Sequence, residues 1–153
     1  MTMRKRRQNA DDKFLLAICA MLLSILLCYS TCSKADMVEM ITKEAICQHF
    51  DPEIAIAVAT VESGLNQNAI GKAGEIGVFQ ILPRTAPGAN LFDLKTNIYW
   101  GIRHLKYWQR VCPTVEGISF VNCYNSGFRK PRYPFLRPYV QKVAFAIRRH
   151  END

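Results

Sequence analysis

The sequence predicts a mainly α-helical domain with a small irregular β region, preceded by an apolar N-terminal segment. Three observations predict this fold class: an apolar run bounded by helix-start and helix-stop residues, several stretches with apolar residues at helical spacing, and a glycine-rich middle without periodicity. No internal repeat or low-complexity tract is found. The 153 residues therefore divide into a signal or anchor segment, residues 1–35, and one domain, residues 36–153.

The N-terminal segment has the features of an export signal or a membrane anchor. The basic run Arg4–Arg7 precedes the apolar stretch Phe14–Cys28. This stretch is near the upper length of a signal-peptide core and somewhat short for a span of about 20 residues. Small residues before Asp36 allow cleavage there, whereas Asp11 and Asp12 are unusual in a signal peptide. Either interpretation predicts an exported domain, in the periplasm or anchored to the inner membrane and facing the periplasm.

The domain should begin with an amphipathic helix followed by a buried one. Within residues 36–50, apolar side chains recur at roughly helical spacing. A second helix is predicted from Pro52 to Ser63, because Asp51 can cap its start and Gly64 favours its end. Nearly every position in 54–61 is apolar or small, so this helix should be buried on most sides.

The middle of the domain lacks helical periodicity. Residues 66–77 contain three glycines and are predicted to form a loop or a short irregular strand. The short apolar run Val78–Leu82 follows and is stopped by Pro83, after which Thr85 can begin a turn or a short helix.

Three helices are predicted in the remainder. An amphipathic helix over Leu94–Arg110 has apolar residues on one face, and a short buried helix over Ile118–Asn125 is ended by Gly127. A proline-rich basic loop, residues 130–138, leads to a last helix from about Tyr139 to His150.

Most of the positive charge belongs to the leader. The whole chain carries a formal net charge of +7, but from Asp36 onward 14 basic residues face 11 acidic ones. Between Gly117 and His150 there are basic residues and no acidic ones. We interpret this stretch as a solvated basic face; attraction to a polyanion such as cell wall, lipid headgroups or nucleic acid is the alternative. The export segment makes nucleic acid the least suitable partner.

Six cysteines are divided equally between the leader and the domain. In an oxidising compartment two of Cys47, Cys112 and Cys123 could pair, and the sequence leaves the pairing open. Neither a Cys-x-x-Cys motif nor paired histidines are present, so no metal site is predicted. His104, inside a helical pattern, is assigned to packing or to the surface.

Glu62 is the first candidate for a catalytic group. It ends the apolar run of the second helix, and Ser63 and Gly64 follow it. Desolvation by apolar neighbours and the partial negative charge at the helix C-terminus should both raise the pKa of its carboxyl. A carboxylic acid that stays protonated near neutral pH can act as a general acid. From this segment alone, an ordinary solvated glutamate at a helix end fits equally well.

Three segments in order carry a family resemblance: Val61–Gly64, Gly74–Ala86 and Cys123–Gly127. They resemble the Slt-type lytic transglycosylase family, in which a Glu-Ser pair ends a buried helix. In that family a Gly-Leu-Met-Gln segment followed by Pro, and then an Ala-Tyr-Asn-Ala-Gly segment, come later in the chain. The resemblance covers about residues 37–147 and implies a lysozyme-like fold.

The chain departs from the family pattern at four positions. Val78 and Phe79 stand where Leu and Met are usual, which keeps an apolar contact but changes its shape beside a sugar subsite. Cys123 and Ser126 replace two alanines with other small residues.

The resemblance implies that the domain cleaves the β-1,4 bond between MurNAc and GlcNAc of peptidoglycan, with no metal or cofactor. Glu62 would protonate the leaving oxygen and then act as base toward the sugar's own C6 hydroxyl, which closes a 1,6-anhydro ring. The resemblance also assigns five substrate-binding residues, namely Ser63, Phe79, Gln80, Tyr124 and Asn125. Taken singly, each of the four polar residues in this set has an ordinary structural role as its alternative.

Two other functions stay open. A hydrolytic muramidase similar to the goose-type lysozymes would need a carboxylate to hold the attacking water, and Glu75 and Asp93 are the nearby candidates in sequence. A wall-docking protein would keep the groove without turnover. For the enzyme we expect peptidoglycan strands as partner, together with an envelope-spanning secretion or conjugation complex suggested by the small size. Contact with the membrane is expected only through the N-terminal segment.

Overall fold

The computed structural model describes residues 33–112, 117–127 and 137–150, without the side chain of Arg137. Nearly all of the predicted signal or anchor segment, residues 1–35, and most of the proline-rich basic loop lie outside these ranges. Within the described ranges no helix is both long and apolar enough to cross a membrane.

The described part of the domain contains five α-helices: α1 (Lys34–Cys47), α2 (Pro52–Ser63), α3 (Leu94–Val111), α4 (Val121–Ser126) and α5 (Arg137–His150). Two short 3-10 helices, Pro83–Thr85 and Gly117–Phe120, precede α3 and α4. Among the described residues, extended pairing is limited to two isolated antiparallel bridges, Ile70 with Ile76 and Ile76 with Ile81. The predicted mainly helical class with a minimal β region is confirmed.

Helix α2 begins and ends where its local sequence predicts. The Asp51 side chain accepts hydrogen bonds from the backbone N–H groups of Glu53 and Ile54, at 2.9 and 3.3 Å. Gly64 adopts a left-handed conformation with φ of 64°, and its N–H donates to the Thr60 carbonyl. These two caps satisfy backbone groups that a helix end leaves unpaired.

The other helices agree with prediction to within a few residues, with two differences at their ends. Helix α1 stops at Cys47, and the chain turns through His49, whose φ is 54°. The helix predicted over residues 118–125 begins as the 3-10 turn Gly117–Phe120 and becomes α-helical at Val121. Local turns at Gln48–His49 and Gly117 set these boundaries, and apolar periodicity does not report them.

The buried helix α2 packs against α1 on one side and α5 on the other, while α3 packs against α1 and α4. The central residues of α2 are buried, as its apolar run predicts. The largest fully buried side chains come from every part of the domain and include Ile41, Val58, Phe79, Ile98, Leu105 and Phe120. One continuous core therefore supports both the glycine-rich middle and the ends of α2 and α4.

A disulfide joins Cys112, which follows α3, to Cys123 in α4, and Cys47 is free and exposed. The bridge closes a short loop, since the two cysteines are 11 positions apart in sequence. It holds the start of α4, and with it Tyr124, against the end of α3.

Removing this bridge should destabilise the domain. We expect Cys112→Ser with Cys123→Ser to lower the free energy of unfolding by about 2–4 kcal/mol, because the unfolded chain regains the entropy of an open loop. Chemical denaturation with and without reductant measures the effect, and Cys47→Ser serves as the matched control. Equal stability of the double variant and the control would contradict the structural role of the bridge.

Candidate active site

The glycine-rich middle folds into a tight turn that carries the predicted Gln80 segment. Ile76 and Ile81 exchange two backbone hydrogen bonds, each 3.0 Å long, and the Gln80 N–H donates to the Gly77 carbonyl. Gly77 and Gln80 both have positive φ, 77° and 48°. Because a non-glycine residue seldom adopts this conformation, the position of Gln80 must be enforced by its surroundings.

Side chains from three helices hold the backbone of Val78 and Phe79, and we call this arrangement the backbone clamp. The Ser63 hydroxyl, at the end of α2, donates to the Val78 carbonyl at 2.9 Å. Asn97 of α3 accepts from the Phe79 N–H at 3.0 Å, and the Tyr124 hydroxyl of α4 donates to the Phe79 carbonyl at 2.7 Å. The clamp therefore satisfies buried polar groups and joins the three helices to one turn.

Asn97 is the most connected member of the backbone clamp. It is fully buried, and its amide nitrogen donates to the carbonyls of Ile76 and Leu91 at 2.9 and 3.0 Å. Gly77 lies directly against this amide, since a Cβ at that position would come within 2.3 Å of Nδ2. The turn can approach α3 this closely only with glycine at position 77.

Phe79 is a core residue, which corrects its assignment to substrate binding. Its side chain has no exposed surface. The ring lies against α3 at Gly101, where a Cβ would come within 2.2 Å of a ring carbon. The departure from the family's methionine therefore alters the packing beneath the turn, and the Phe79 side chain cannot reach a sugar.

Glu62 is half-buried at the last turn of α2, and the Tyr139 hydroxyl of α5 donates a 2.5 Å hydrogen bond to its Oε1. Burial raises the pKa of the Glu62 carboxyl, as predicted. The hydrogen bond from Tyr139 opposes this pKa shift, and the negative charge of Glu75 adds to it. The charge of Glu75 is a contribution that the sequence does not reveal, in addition to the burial that the apolar run predicts.

Two tyrosines interact with the Glu62 carboxyl, Tyr139 through a hydrogen bond and Tyr124 electrostatically. Burial and the negative charge of Glu62 raise the pKa of both Tyr124 and Tyr139, so both hydroxyls stay protonated and can donate hydrogen bonds. Tyr139 was not among the residues that the sequence assigned to the site. The sequence offered one signal for Tyr139, since the segment Tyr139–Val143 also fits the pattern of the Slt-type family. The helical pattern of α5 alone does not distinguish Tyr139 from its neighbours.

The remaining predicted site residues lie in different environments. Ser63 contacts the turn rather than Glu62, and it also accepts from the Asn66 N–H at 3.1 Å. The Gln80 amide nitrogen donates to the carbonyls of Gly77 and Ala69, at 2.9 and 3.3 Å. Asn125 is exposed in α4. Ser63 and Tyr124 are therefore engaged in building the site, while contact of Gln80 and Asn125 with substrate stays a prediction.

Glu75 and Asp93, the two carboxylates that could hold the attacking water in a hydrolytic reaction, differ in their hydrogen bonds and in their effect on Glu62. The Asp93 carboxylate caps α3 by accepting from the backbone N–H and hydroxyl of Thr96, at 2.8 and 2.7 Å, and these bonds lower its pKa. Glu75 accepts from the Ala73 N–H at 2.9 Å and acts electrostatically on Glu62. Of these two acids, Glu75 is the one that acts on the pKa of the Glu62 carboxyl.

His104 is a packing residue, as its helical context indicates. Its Nε2 accepts a 2.9 Å hydrogen bond from the Trp108 indole, and its ring centroid lies 5.3 Å from that of Tyr124. Burial lowers the pKa of the imidazole, which favours the neutral form that can accept this bond.

These features define a helical domain with one half-buried acid at the end of a core helix, beside a tightly held turn. Residues 39–142, more than half of the chain, match the family model described as the transglycosylase SLT domain, and the chain belongs to this family. A search of curated proteins and a search of solved structures each gave no match. Family membership implies peptidoglycan as the substrate class.

The backbone clamp gives a prediction for Asn97. Asn97→Ala should lower the free energy of unfolding by about 2–4 kcal/mol, because it leaves buried backbone groups without partners. Asn90→Ala is the control, since Asn90 is exposed and its side chain accepts a long bond of 3.3 Å from the Phe92 N–H. Denaturant unfolding should show a loss of at most about 0.5 kcal/mol for the control. Similar losses for both variants would argue against the clamp.

Proposed function

We propose that this protein is a lytic transglycosylase that cleaves the MurNAc–GlcNAc bond of peptidoglycan and leaves a 1,6-anhydro-MurNAc end, with Glu62 as acid and base. The observation that carries the proposal is the half-buried Glu62 carboxyl, whose pKa is raised and which accepts a hydrogen bond from Tyr139. A protonated carboxyl at this position meets the requirement for a general acid near neutral pH.

In the proposed reaction this one carboxyl carries out both proton transfers. Glu62 gives its proton to the glycosidic oxygen as the bond from that oxygen to C1 of MurNAc breaks, which releases the GlcNAc hydroxyl. The carboxylate then removes the proton from the C6 hydroxyl of the same MurNAc as O6 bonds to C1. The acid form of Glu62 is regenerated, and neither water nor a second carboxylate is consumed.

Tyr139 and Glu75 would adjust the acid in opposite directions. The Tyr139 hydroxyl stabilises the carboxylate form, which makes protonated Glu62 a stronger proton donor. The charge of Glu75 stabilises the protonated form, which keeps the proton on Glu62 at higher pH and makes the carboxylate a stronger base in the second step. The pair would therefore keep one carboxyl useful in both steps.

Hydrolysis is the second candidate, and the position of Glu75 is the observation that favours it. If Glu75 held a water at C1, the product would be a reducing MurNAc instead of an anhydro sugar. The two reactions differ by one water in the product mass, so one digest distinguishes them.

We further propose that the domain works outside the cytoplasm, in the periplasm or anchored to the inner membrane, where it opens the wall for a secretion or conjugation apparatus. The basic and apolar N-terminal sequence supports the location.

The reaction and its residue are tested together by digesting purified peptidoglycan and analysing the products by mass spectrometry. Wild type should release anhydro-muropeptides, and Glu62→Gln should be slower by on the order of 10²–10⁴-fold, because the acid and base are lost. Glu53→Gln, an exposed acid in the first turn of α2, should retain full activity. Reducing ends from wild type would refute the lyase reaction, and unchanged activity in Glu62→Gln would refute the role of Glu62.

The pH dependence of cleavage should respond in opposite directions to two variants. Cleavage requires protonated Glu62, so activity should fall as pH rises through the raised pKa of this group. Tyr139→Phe removes a bond that lowers this pKa and should move the alkaline limb to higher pH. Glu75→Gln removes a charge that raises it and should move the limb to lower pH.

The measurement is kcat/KM against pH on soluble glycan strands, with Glu53→Gln as the control that leaves the limb in place. Shifts in the same direction for both variants would contradict the proposed electrostatics. Complete loss of activity in Glu75→Gln, together with reducing ends from wild type, would instead support hydrolysis.

A further inference from the structure

A cavity of 520 Å³ lies between the C-terminal part of α2 and residues 142–150 of α5. None of the residues of the backbone clamp lines it, and neither does Glu62. Its apolar wall is formed by Val61, Leu65 and Ala146. Leu65 and Ala146 are each 8% exposed, so this wall is continuous with the core.

Basic side chains surround this apolar wall. Lys34 of α1 and Lys142, Arg149 and His150 of α5 line the cavity, and none of the described residues that line it is acidic. The cavity therefore combines positive charge at its edge with apolar surface inside. This combination suits a ligand that has an anionic group next to an apolar part.

An exposed aromatic residue extends the same surface. Phe145 is 61% exposed and lines the cavity together with Lys142. The same two residues also border a neighbouring open groove of 590 Å³, whose lining includes Arg148. The opposite side of α5 is in the core, where Val143 is fully buried. Helix α5 thus has one face in the core and another face with basic side chains and the exposed Phe145.

We propose that this surface of the domain, formed by Lys34, Lys142, Phe145 and Arg149, binds a membrane containing anionic phospholipid. The basic side chains contact lipid phosphates, and Phe145 enters the headgroup region, as aromatic residues do at bilayer interfaces. Peptidoglycan also carries anionic groups, and its sugar rings can stack on an aromatic side chain, but it has no acyl chains to cover the apolar wall of Val61, Leu65 and Ala146. This proposal departs from our prediction that membrane contact occurs only through the N-terminal segment, because it adds a contact made by the domain itself.

This inference does not depend on the reaction proposed above. It has a consequence for the site, because α5 carries the membrane-facing surface and also Tyr139, which contacts Glu62. A domain bound in this way would act on the layer of wall nearest to the membrane.

The test uses the full chain in lipid nanodiscs, so that the N-terminal segment is the same in every sample. A photoreactive p-benzoylphenylalanine is placed at position 145 or, as the control, at position 92, where Phe92 is 52% exposed and outside the proposed surface. Lipid adducts are counted by mass spectrometry after illumination. We expect adducts at position 145 in discs containing phosphatidylglycerol, at least about fivefold above position 92 and above discs of phosphatidylcholine alone.

Charge reversal provides the second arm. Lys142→Glu with Arg149→Glu should reduce the adducts at position 145 by about tenfold. The matched reversal Lys95→Glu with Arg110→Glu, at exposed positions of α3, should leave them unchanged. Circular dichroism confirms that both double variants are folded before they are compared.

Three results would overturn the proposal. The first is an equal adduct yield at positions 145 and 92, or no dependence on phosphatidylglycerol. The second is the same loss in both charge-reversal variants, which indicates general attraction rather than this surface. The third is transfer of the adducts from lipid to glycan when peptidoglycan fragments are added, which would assign the surface to the wall.

Discussion

The structure depends on the hydrogen bonds by which side chains of three helices fix the backbone of Val78 and Phe79. Buried peptide groups are costly unless they are paired, and here side chains of Ser63, Asn97 and Tyr124 provide the partners. Each partner comes from a different helix, so the turn cannot form correctly unless all three helices are in place. Two of the four polar residues that the sequence assigns to substrate binding, Ser63 and Tyr124, thus help to assemble the site.

This arrangement explains the state of Glu62. The residue precedes Ser63, so the bond from Ser63 to the turn also fixes the end of α2 beside the turn, and α5 covers the carboxyl through Tyr139. Partial burial follows from this packing and raises the pKa of Glu62. The raised pKa of Glu62 is a consequence of where α2 ends, and the stability of the rest of the core offsets the free-energy cost of burying the carboxyl.

The sequence predicted the parts of the structure that have local causes. The bounds of α2 follow from Asp51, Pro52 and Gly64, and the raised pKa of Glu62 follows from the apolar run before it. Contacts between distant segments could not be derived in this way. The burial of Phe79 under Gly101, the hydrogen bond from Tyr139 and the choice of Cys112 with Cys123 depend on how helices pack, which periodicity does not specify.

The central claim is that the fold keeps the Glu62 carboxyl protonated at a higher pH than an ordinary glutamate. Direct titration of the carboxyl groups by carbon NMR tests it, with Glu62→Gln used to assign the resonance. We predict that the Glu62 signal titrates above the ordinary value of 4.5, because burial outweighs the bond from Tyr139. A midpoint at or below that value would contradict the account and leave the protein without its general acid.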